Sequence, residues 1–177
     1  MPDRRPTADE YAPFYAGYVD RLPDAPILPR LAGQLDELGG LLGRLRPGAA
    51  AFRYAPAKWT VGQVVGHLAD AERIFGMRAT CFARGETAPI PGFSENDYVA
   101  EGGFEARPLD SLVRELEHLR AANLEMFGAL DADRWARAGT ASGATVSVRA
   151  LAWILAGHLD HHLGVLRDRY AAAFSDG

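Results

Sequence analysis

Cysteine is nearly absent from this chain of 177 residues, in which Cys81 is the only one. An internal disulfide is therefore impossible, and a metal cage built from several thiolates is excluded. Any metal ion must be bound mainly through nitrogen and oxygen. Cys81 itself lies in an apolar run, residues 74–83, where a small buried thiol is a more common role than that of a catalytic nucleophile.

An excess of basic charge and long apolar runs are also missing. The 19 basic and 23 acidic residues give a net charge of -4, so no basic stripe could neutralise a row of phosphates, and we expect no nucleic-acid partner. Apolar runs such as residues 150–157 are far shorter than the roughly 20 residues that span a bilayer. The polar start of the chain does not resemble a signal peptide. These features predict a cytoplasmic protein without a membrane partner.

The composition is that of an ordinary globular protein, with 48% hydrophobic and 24% charged residues. The length suits a single domain with one core. We predict a domain at residues 11–170, preceded by a disordered N-terminus at residues 1–10 and followed by a flexible tail at residues 171–177.

Four segments show the 3.6-residue spacing of apolar side chains that is typical of amphipathic helices. They are predicted at about residues 29–45, 60–83, 108–130 and 147–170. Thr60 and Gln63 form a capping-box pattern at the start of the second.

The remaining segments are shorter or less regular. A short helix is predicted at residues 8–19, and the connections at 84–107 and 131–146 are rich in glycine, proline and polar residues. Residues 144–148 are the only strand candidate, and it is weak. The sequence therefore predicts an all-α fold, a four-helix bundle with an extra N-terminal helix and long inter-helix loops.

Histidine interrupts two of the four apolar stripes. His158 and His162 are four residues apart, so their rings lie one turn apart on a common helix face, as in helices that offer two nitrogen ligands. His67 supplies a third ligand if the second and fourth helices are neighbours. A single inward histidine is usually a hydrogen-bonded core residue, whereas three unpaired imidazoles would leave several costly polar atoms that one shared ion could satisfy. The spacing leaves both interpretations open.

Three further residues are candidates for supporting or substrate-binding roles. Asp70 follows His67 by one turn and could accept the second ring N–H of that ligand, although a surface carboxylate would show the same spacing. Arg78 could guide an anionic substrate, form a salt bridge or extend to solvent. His161 points about 100° away from His162, which places it beside the site or at the surface.

Two separated segments stand out, YAPAKWTVGQVVGHLADAERIF at residues 54–75 and VRALAWILAGHLDHH at residues 148–162. Together and in this order they resemble the DinB-like superfamily, and in particular its YfiT-type branch of metal-dependent hydrolases and thiol transferases. Arg78 and the loop PIPGF at residues 89–93 add to the match, which extends over about residues 11–170.

The resemblance implies a four-helix bundle, commonly a homodimer, that binds one divalent metal ion, zinc or nickel. The histidines at the family's ligand positions are His67, His158 and His162. Some relatives transfer low-molecular-weight thiols such as bacillithiol or mycothiol to electrophiles. For this chain the resemblance implies a small-molecule substrate and a low-molecular-weight thiol as co-substrate.

A site with three neutral imidazoles leaves a divalent ion its full charge and an open position, as in catalytic metal sites. The helix that carries His158 lacks the glutamate that follows the first histidine in metalloproteases, so we expect no catalytic residue beyond the metal ligands. We expect a metal-dependent enzyme that transfers a thiol to a small electrophile through a metal-activated thiolate. Two alternatives stay open: a metal-dependent hydrolase or isomerase of a small molecule, and a non-catalytic, stress-associated metal-binding dimer.

Overall fold

The structure is a computed structural model that describes residues 3–175. Its α-helices, in chain order, are α1 Ala16–Val19, α2 Ile27–Leu42, α3 Val61–Ala83, α4 Glu95–Glu101, α5 Leu109–Gly128, α6 Ala132–Ala136 and α7 Val148–Arg169. Two short strands, β1 Ala138–Ala141 and β2 Ala144–Ser147, pair as an antiparallel hairpin. Short 3-10 turns occupy Ala8–Glu10, Pro13–Tyr15, Ala49–Ala51, Phe104–Ala106 and Ala171–Ala173.

The four long helices α2, α3, α5 and α7 form the bundle, which confirms the predicted all-α architecture. Helix α3 packs against α5 and α7, and α2 packs against the same two helices. The predicted capping box is present, since Thr60 Oγ1 accepts from Gln63 N at 3.1 Å and Gln63 Oε1 accepts from Thr60 N at 2.9 Å. Within residues 3–175, no helix combines the length and apolar character needed to cross a bilayer. The two helices that carry the candidate ligands, α3 and α7, are therefore neighbours.

The predicted N-terminal helix at residues 8–19 is wrong in its extent. The chain forms two 3-10 turns and only then the single α-helical turn of α1. Ala12 is extended, with φ -64° and ψ 144°, and it is followed by Pro13. A residue before proline is disfavoured in the α region by the proline ring, so a continuous helix cannot pass this point easily.

The connections contain more regular structure than the sequence analysis predicts. Helices α4 and α6 lie in segments predicted as loops, and β2 occupies the weak strand candidate, while its partner β1 was not predicted. Ser142 and Gly143 join the two strands with φ values of 53° and 78°. Positive φ at both central residues is the signature of a two-residue hairpin turn that matches the twist of the strands.

The described parts of both chain ends pack onto the bundle. The Glu10 carboxylate accepts hydrogen bonds from Ser147 Oγ at 2.7 Å and Arg149 Nη2 at 2.8 Å, and Phe174 is buried in the core. These partners are distant in the sequence, so local composition does not reveal them. The first two and last two residues of the predicted ends lie outside the described residues.

The Glu10–Arg149 ion pair should stabilise the fold in a pH-dependent way. Burial raises the pKa of Glu10, but hydrogen bonds from Arg149 and Ser147 outweigh it and hold that pKa below its ordinary value of 4.5. We expect Glu10→Gln to lower the free energy of unfolding at pH 7 by about 1.5–3 kcal/mol, the range for hydrogen bonds to a charged group. The loss should shrink as the pH falls from 4.5 through the lowered folded value, because a protonated glutamate carries no charge.

Urea unfolding of the wild type and Glu10→Gln at neutral and acidic pH measures this difference. The matched control is Asp9→Asn, which removes one negative charge at an exposed neighbouring position and should change stability little at either pH. A loss for Glu10→Gln that is the same at both pH values would contradict the assignment to the ion pair.

A buried polar network joins all four long helices. Arg120 on α5 donates from Nε and Nη2 to the two carboxylate oxygens of Glu72 on α3, both at 2.8 Å. Its Nη1 donates to Leu31 O at 2.8 Å and Gln34 Oε1 at 3.2 Å, both on α2. Gln34 Nε2 in turn donates to Ala156 O on α7 at 2.7 Å. These bonds hold α3 and α7 in place close to the candidate ligands, His67 and His158.

Candidate metal centre

The three histidines predicted as ligands converge in the core of the bundle. His67 lies on α3, and His158 and His162 lie one turn apart on α7. One ring nitrogen of each lies within 4.8 Å of those of the other two, and Nε2 of His67 is 2.9 Å from Nε2 of His158. Their exposed fractions are only 3%, 5% and 8%, respectively. The rings therefore share one buried point between the two helices.

Gly157 explains how the N-terminal segment closes over this point. A Cβ atom at Gly157 would lie 2.1 Å from the carbonyl oxygen of Tyr18, so only glycine lets α1 cross α7 this closely. The crossing places the Tyr18 ring edge-on to His158, with 5.4 Å between centroids, and 5.7 Å from the ring of His161. The Tyr18 side chain thus lies against one of the three clustered histidines and its neighbour His161.

Burial keeps the three imidazoles neutral. It lowers the pKa of His67 to about 4, with a smaller contribution from His161. Burial also lowers the pKa of His158 and of His162 well below the ordinary value of 6.5, and the neighbouring histidines add to this effect. At neutral pH each ring therefore has one nitrogen lone pair that can act as a ligand.

This donor set fits a divalent transition metal. The Nδ1 atom of His162 is buried without a hydrogen-bond partner among the described residues, and such an atom is costly to leave unsatisfied. Zinc–nitrogen bonds near 2.0–2.1 Å in a tetrahedral arrangement separate two bound nitrogens by about 3.3 Å. The 2.9 Å between the Nε2 atoms of His67 and His158 is close to that value, and the three nitrogens all lie within 4.8 Å of one another. The three rings are therefore close enough together to share one ion.

Two cavities reach the cluster from different sides. The first cavity, of about 430 Å³, is bordered by His67 and His158, and its other walls are largely aromatic and apolar. The second cavity, of about 270 Å³, is bordered by His161, His162 and Trp59. Each cavity is therefore bordered by at least one of the three candidate ligands.

Two of the further candidates have ordinary surroundings. The described hydrogen bonding of the Asp70 side chain is to Arg73, whose Nη1 donates to Oδ1 at 3.3 Å. It therefore does not orient His67 here, because its carboxylate faces the helix surface. His161 is half-buried, borders the second cavity and lies outside the ligand cluster, with its ring centroid 5.0 Å from that of His162.

Among the described residues, Arg78 neither extends to solvent nor forms a salt bridge, the two ordinary roles considered for it from the sequence. Its side chain is buried, which excludes the extension to solvent. The salt bridges within residues 3–175 do not include it. Instead, its Nη2 atom donates to Pro91 O and Ser142 Oγ, both at 3.0 Å.

The sequence analysis does not identify most of the residues that border the first cavity. Among them are Tyr18 on α1, Phe93 just before α4, Glu95 on α4 and Ser142 in the hairpin turn. None of them lies on the long periodic helices. The positive-φ turn at Ser142 was the one local feature that could have drawn attention to this segment, through the Ser-Gly dipeptide.

Comparisons with known proteins agree with this architecture. A family model described as the DinB superfamily matches residues 30–166. The structure of YfiT from Bacillus subtilis, described as a probable metal-dependent hydrolase with an unusual four-helix bundle topology, aligns with a TM-score of 0.76, 17% identity and 89% coverage of each chain. A mycothiol-dependent maleylpyruvate isomerase aligns with a TM-score of 0.67 and 18% identity over 82% of this chain and 61% of its own. No curated protein matches the sequence.

Proposed function

The chain belongs to the DinB superfamily, and we propose on this basis that it is a metal-dependent enzyme that joins a low-molecular-weight thiol to a small electrophile. His67, His158 and His162 hold one divalent ion, zinc or nickel, in this proposal. The observation that carries it is the convergence of three buried, neutral histidines, of which His67 and His158 border one cavity and His162 borders another. A homodimer is also proposed, from the family resemblance alone, and a cytoplasmic location, from the features of the sequence.

The chemistry of such a site follows from the charge of its ligands. A divalent ion, when bound, lowers the pKa of a coordinated thiol or water toward neutrality. His67, His158 and His162 are neutral and so do not offset the charge of the ion. The burial of all three rings also keeps the local dielectric low, which strengthens electrostatic interactions at the site.

The cavities favour a reaction between two organic substrates. The first cavity has the size of ordinary small-molecule sites, and its aromatic walls suit an apolar electrophile. The second cavity is smaller and brings Lys58 and His161 near the other side of the cluster, where a polar thiol compound would find hydrogen-bond donors. Tyr18 and the rest of α1 cover the cluster and would limit its contact with bulk water.

Hydrolysis or isomerisation of a small molecule is the second candidate. The description of the structurally similar YfiT as a probable metal-dependent hydrolase favours it. Glu95 borders the first cavity and is exposed, so it is the described carboxylate best placed to accept a proton from water there. The same three ligands would serve both reactions.

An assay with and without thiol distinguishes the two candidates. Zinc-loaded protein is mixed with monochlorobimane and mycothiol, bacillithiol or cysteine, and formation of the fluorescent thioether is followed. In this reaction a C–S bond forms, chloride leaves and the thiol proton passes to solvent. We expect a rate on the order of 100-fold above the uncatalysed reaction, a modest value for an enzyme, that is lost after metal removal. Metal-dependent turnover of the electrophile that persists without added thiol would contradict the proposal and support hydrolysis.

A further inference from the structure

Arg78 on α3 is a buried cation that the proposed reaction does not use. Its side chain is 2% exposed, and its Cζ atom lies 5.7 Å and 5.9 Å from the ring centroids of Phe75 and Phe93. Nη2 donates to Pro91 O and Ser142 Oγ, both at 3.0 Å. The buried Nε has no acceptor among the described residues. The guanidinium group therefore retains unused hydrogen-bonding capacity.

The charge of Arg78 is not balanced by a carboxylate, in contrast to that of the other fully buried arginine. Arg120 is also 2% exposed and is bound by both carboxylate oxygens of Glu72 at 2.8 Å. No salt bridge of Arg78 occurs in the part of the chain that the structure describes. An unpaired buried charge is unfavourable. An anionic group close to Arg78 would offset that cost.

Ser142 connects this charge with the first cavity. Its Oγ atom accepts a hydrogen from Arg78, so its own proton is directed away from the guanidinium. Ser142 borders the cavity that His67 and His158 also border. The hairpin turn is held in position there, because Ser142 N donates to Ile90 O at 3.1 Å. A ligand in the cavity thus meets a hydroxyl donor backed by a positive charge.

We propose that the Ser142 end of the first cavity binds a carboxylate group of the small-molecule substrate. Ser142 donates its hydroxyl proton to that carboxylate, and Arg78 positions Ser142 and supplies the compensating charge. A single carboxylate is the chemistry that fits best, because one cation is available and Glu95 on the same cavity would repel a more highly charged anion. This inference names the substrate class of the proposed function and rests on that function only for the reacting end of the molecule.

The distance between the two ends of the cavity limits the size of the substrate. Arg78 follows His67 by eleven residues on α3, which corresponds to about 16 Å along the helix axis. Both side chains lean toward the N-terminus, and the longer arginine reaches farther, so the guanidinium and the imidazole are separated by somewhat less than this rise. Tyr15 and Phe75 border the cavity between them. The fitting molecule is a carboxylic acid with a short apolar middle and its electrophilic carbon at the far end.

Binding of a matched pair of probes tests this site. The probes are 4-phenylbutanoate and its neutral amide, titrated calorimetrically into zinc-loaded and metal-free protein. The carboxylate should bind at least about tenfold more tightly than the amide in both forms of the protein, as expected for charge-assisted hydrogen bonding. The ratio of the two affinities should fall close to one in Arg78→Gln and should decrease severalfold in Ser142→Gly, which keeps the turn but lacks the hydroxyl.

The control variant is Arg84→Gln, which removes one positive charge from the exposed end of α3 and should leave the ratio unchanged. If Arg78→Gln does not fold, Ser142→Gly still carries the test, since glycine suits the positive φ of that residue.

An unchanged ratio in the variants overturns the proposal, and so does the lack of any preference for the carboxylate in the wild type. A preference that disappears on metal removal also overturns it, because the metal would then hold the carboxylate. If the protein binds no zinc, the metal-free titrations still decide this proposal separately from the proposed function.

Discussion

Replacing His158 with alanine is expected to lower the affinity of the protein for Zn²⁺ by more than about a hundredfold, because loss of a group that merely orients a ligand already costs 10–100-fold. The Nε2 atom of His158 is 2.9 Å from that of His67. Without it, the site would retain one ligand on α3 and one on α7. Metal-dependent activity should be lost with the metal.

Metal content after dialysis and calorimetric titration with Zn²⁺ measure the effect in protein without a histidine tag, which would itself bind the ion. Two matched controls are available. His161→Ala changes the neighbouring histidine outside the ligand cluster, and His118→Ala changes an exposed histidine on α5. Both should bind one ion per chain. Circular dichroism establishes that His158→Ala is folded, and wild-type affinity in that variant would show that the three histidines are not the metal centre.

Replacing Glu72 with glutamine is expected to lower the free energy of unfolding by about 3–5 kcal/mol, the usual cost of removing one partner from a buried ion pair. Glu72 and Arg120 are each 2% exposed, and both bonds between them measure 2.8 Å. Glutamine would leave the guanidinium charge in the core without a counterion. For a chain of this length the loss corresponds to a fall in Tm of roughly 6–20 °C.

A second ion pair on the same helix pair provides the control. Glu115 binds Arg73 at 2.5 Å and Arg107 at 2.6 Å, but these side chains are between 26% and 49% exposed. Glu115→Gln should therefore cost no more than about 1 kcal/mol. Thermal and urea unfolding of both variants give the comparison, and equal losses would contradict the role assigned to burial.

The double variant Glu72→Leu, Arg120→Met separates the charge from the contacts. It removes both charges and replaces them with apolar side chains, so it should recover much of the stability lost by Glu72→Gln. A double variant as unstable as Glu72→Gln would indicate that the bonds from Arg120 to α2, and not the buried charge, dominate.

The long helices and the candidate ligand histidines could be recognised from the sequence because both depend on short-range patterns. Apolar spacing predicted α3 at residues 60–83, and the structure has it at Val61–Ala83. The separation of His158 and His162 by one turn is likewise a local property of a helix. Local patterns in the sequence could not show that α3 and α7 are neighbours. That expectation came from the resemblance to the DinB-like superfamily.

The amino-acid sequence by itself determined that the protein is a helical bundle and which histidine rings face its interior, since a helix and its buried face follow from residues three and four positions apart. Only the tertiary structure decided which partners the buried side chains contact. Arg78 and Arg120 occupy similar positions in the pattern of their helices, yet one is paired with a carboxylate and the other is not. That difference depends on segments that lie tens of residues away along the chain, and no local pattern records which of them come into contact.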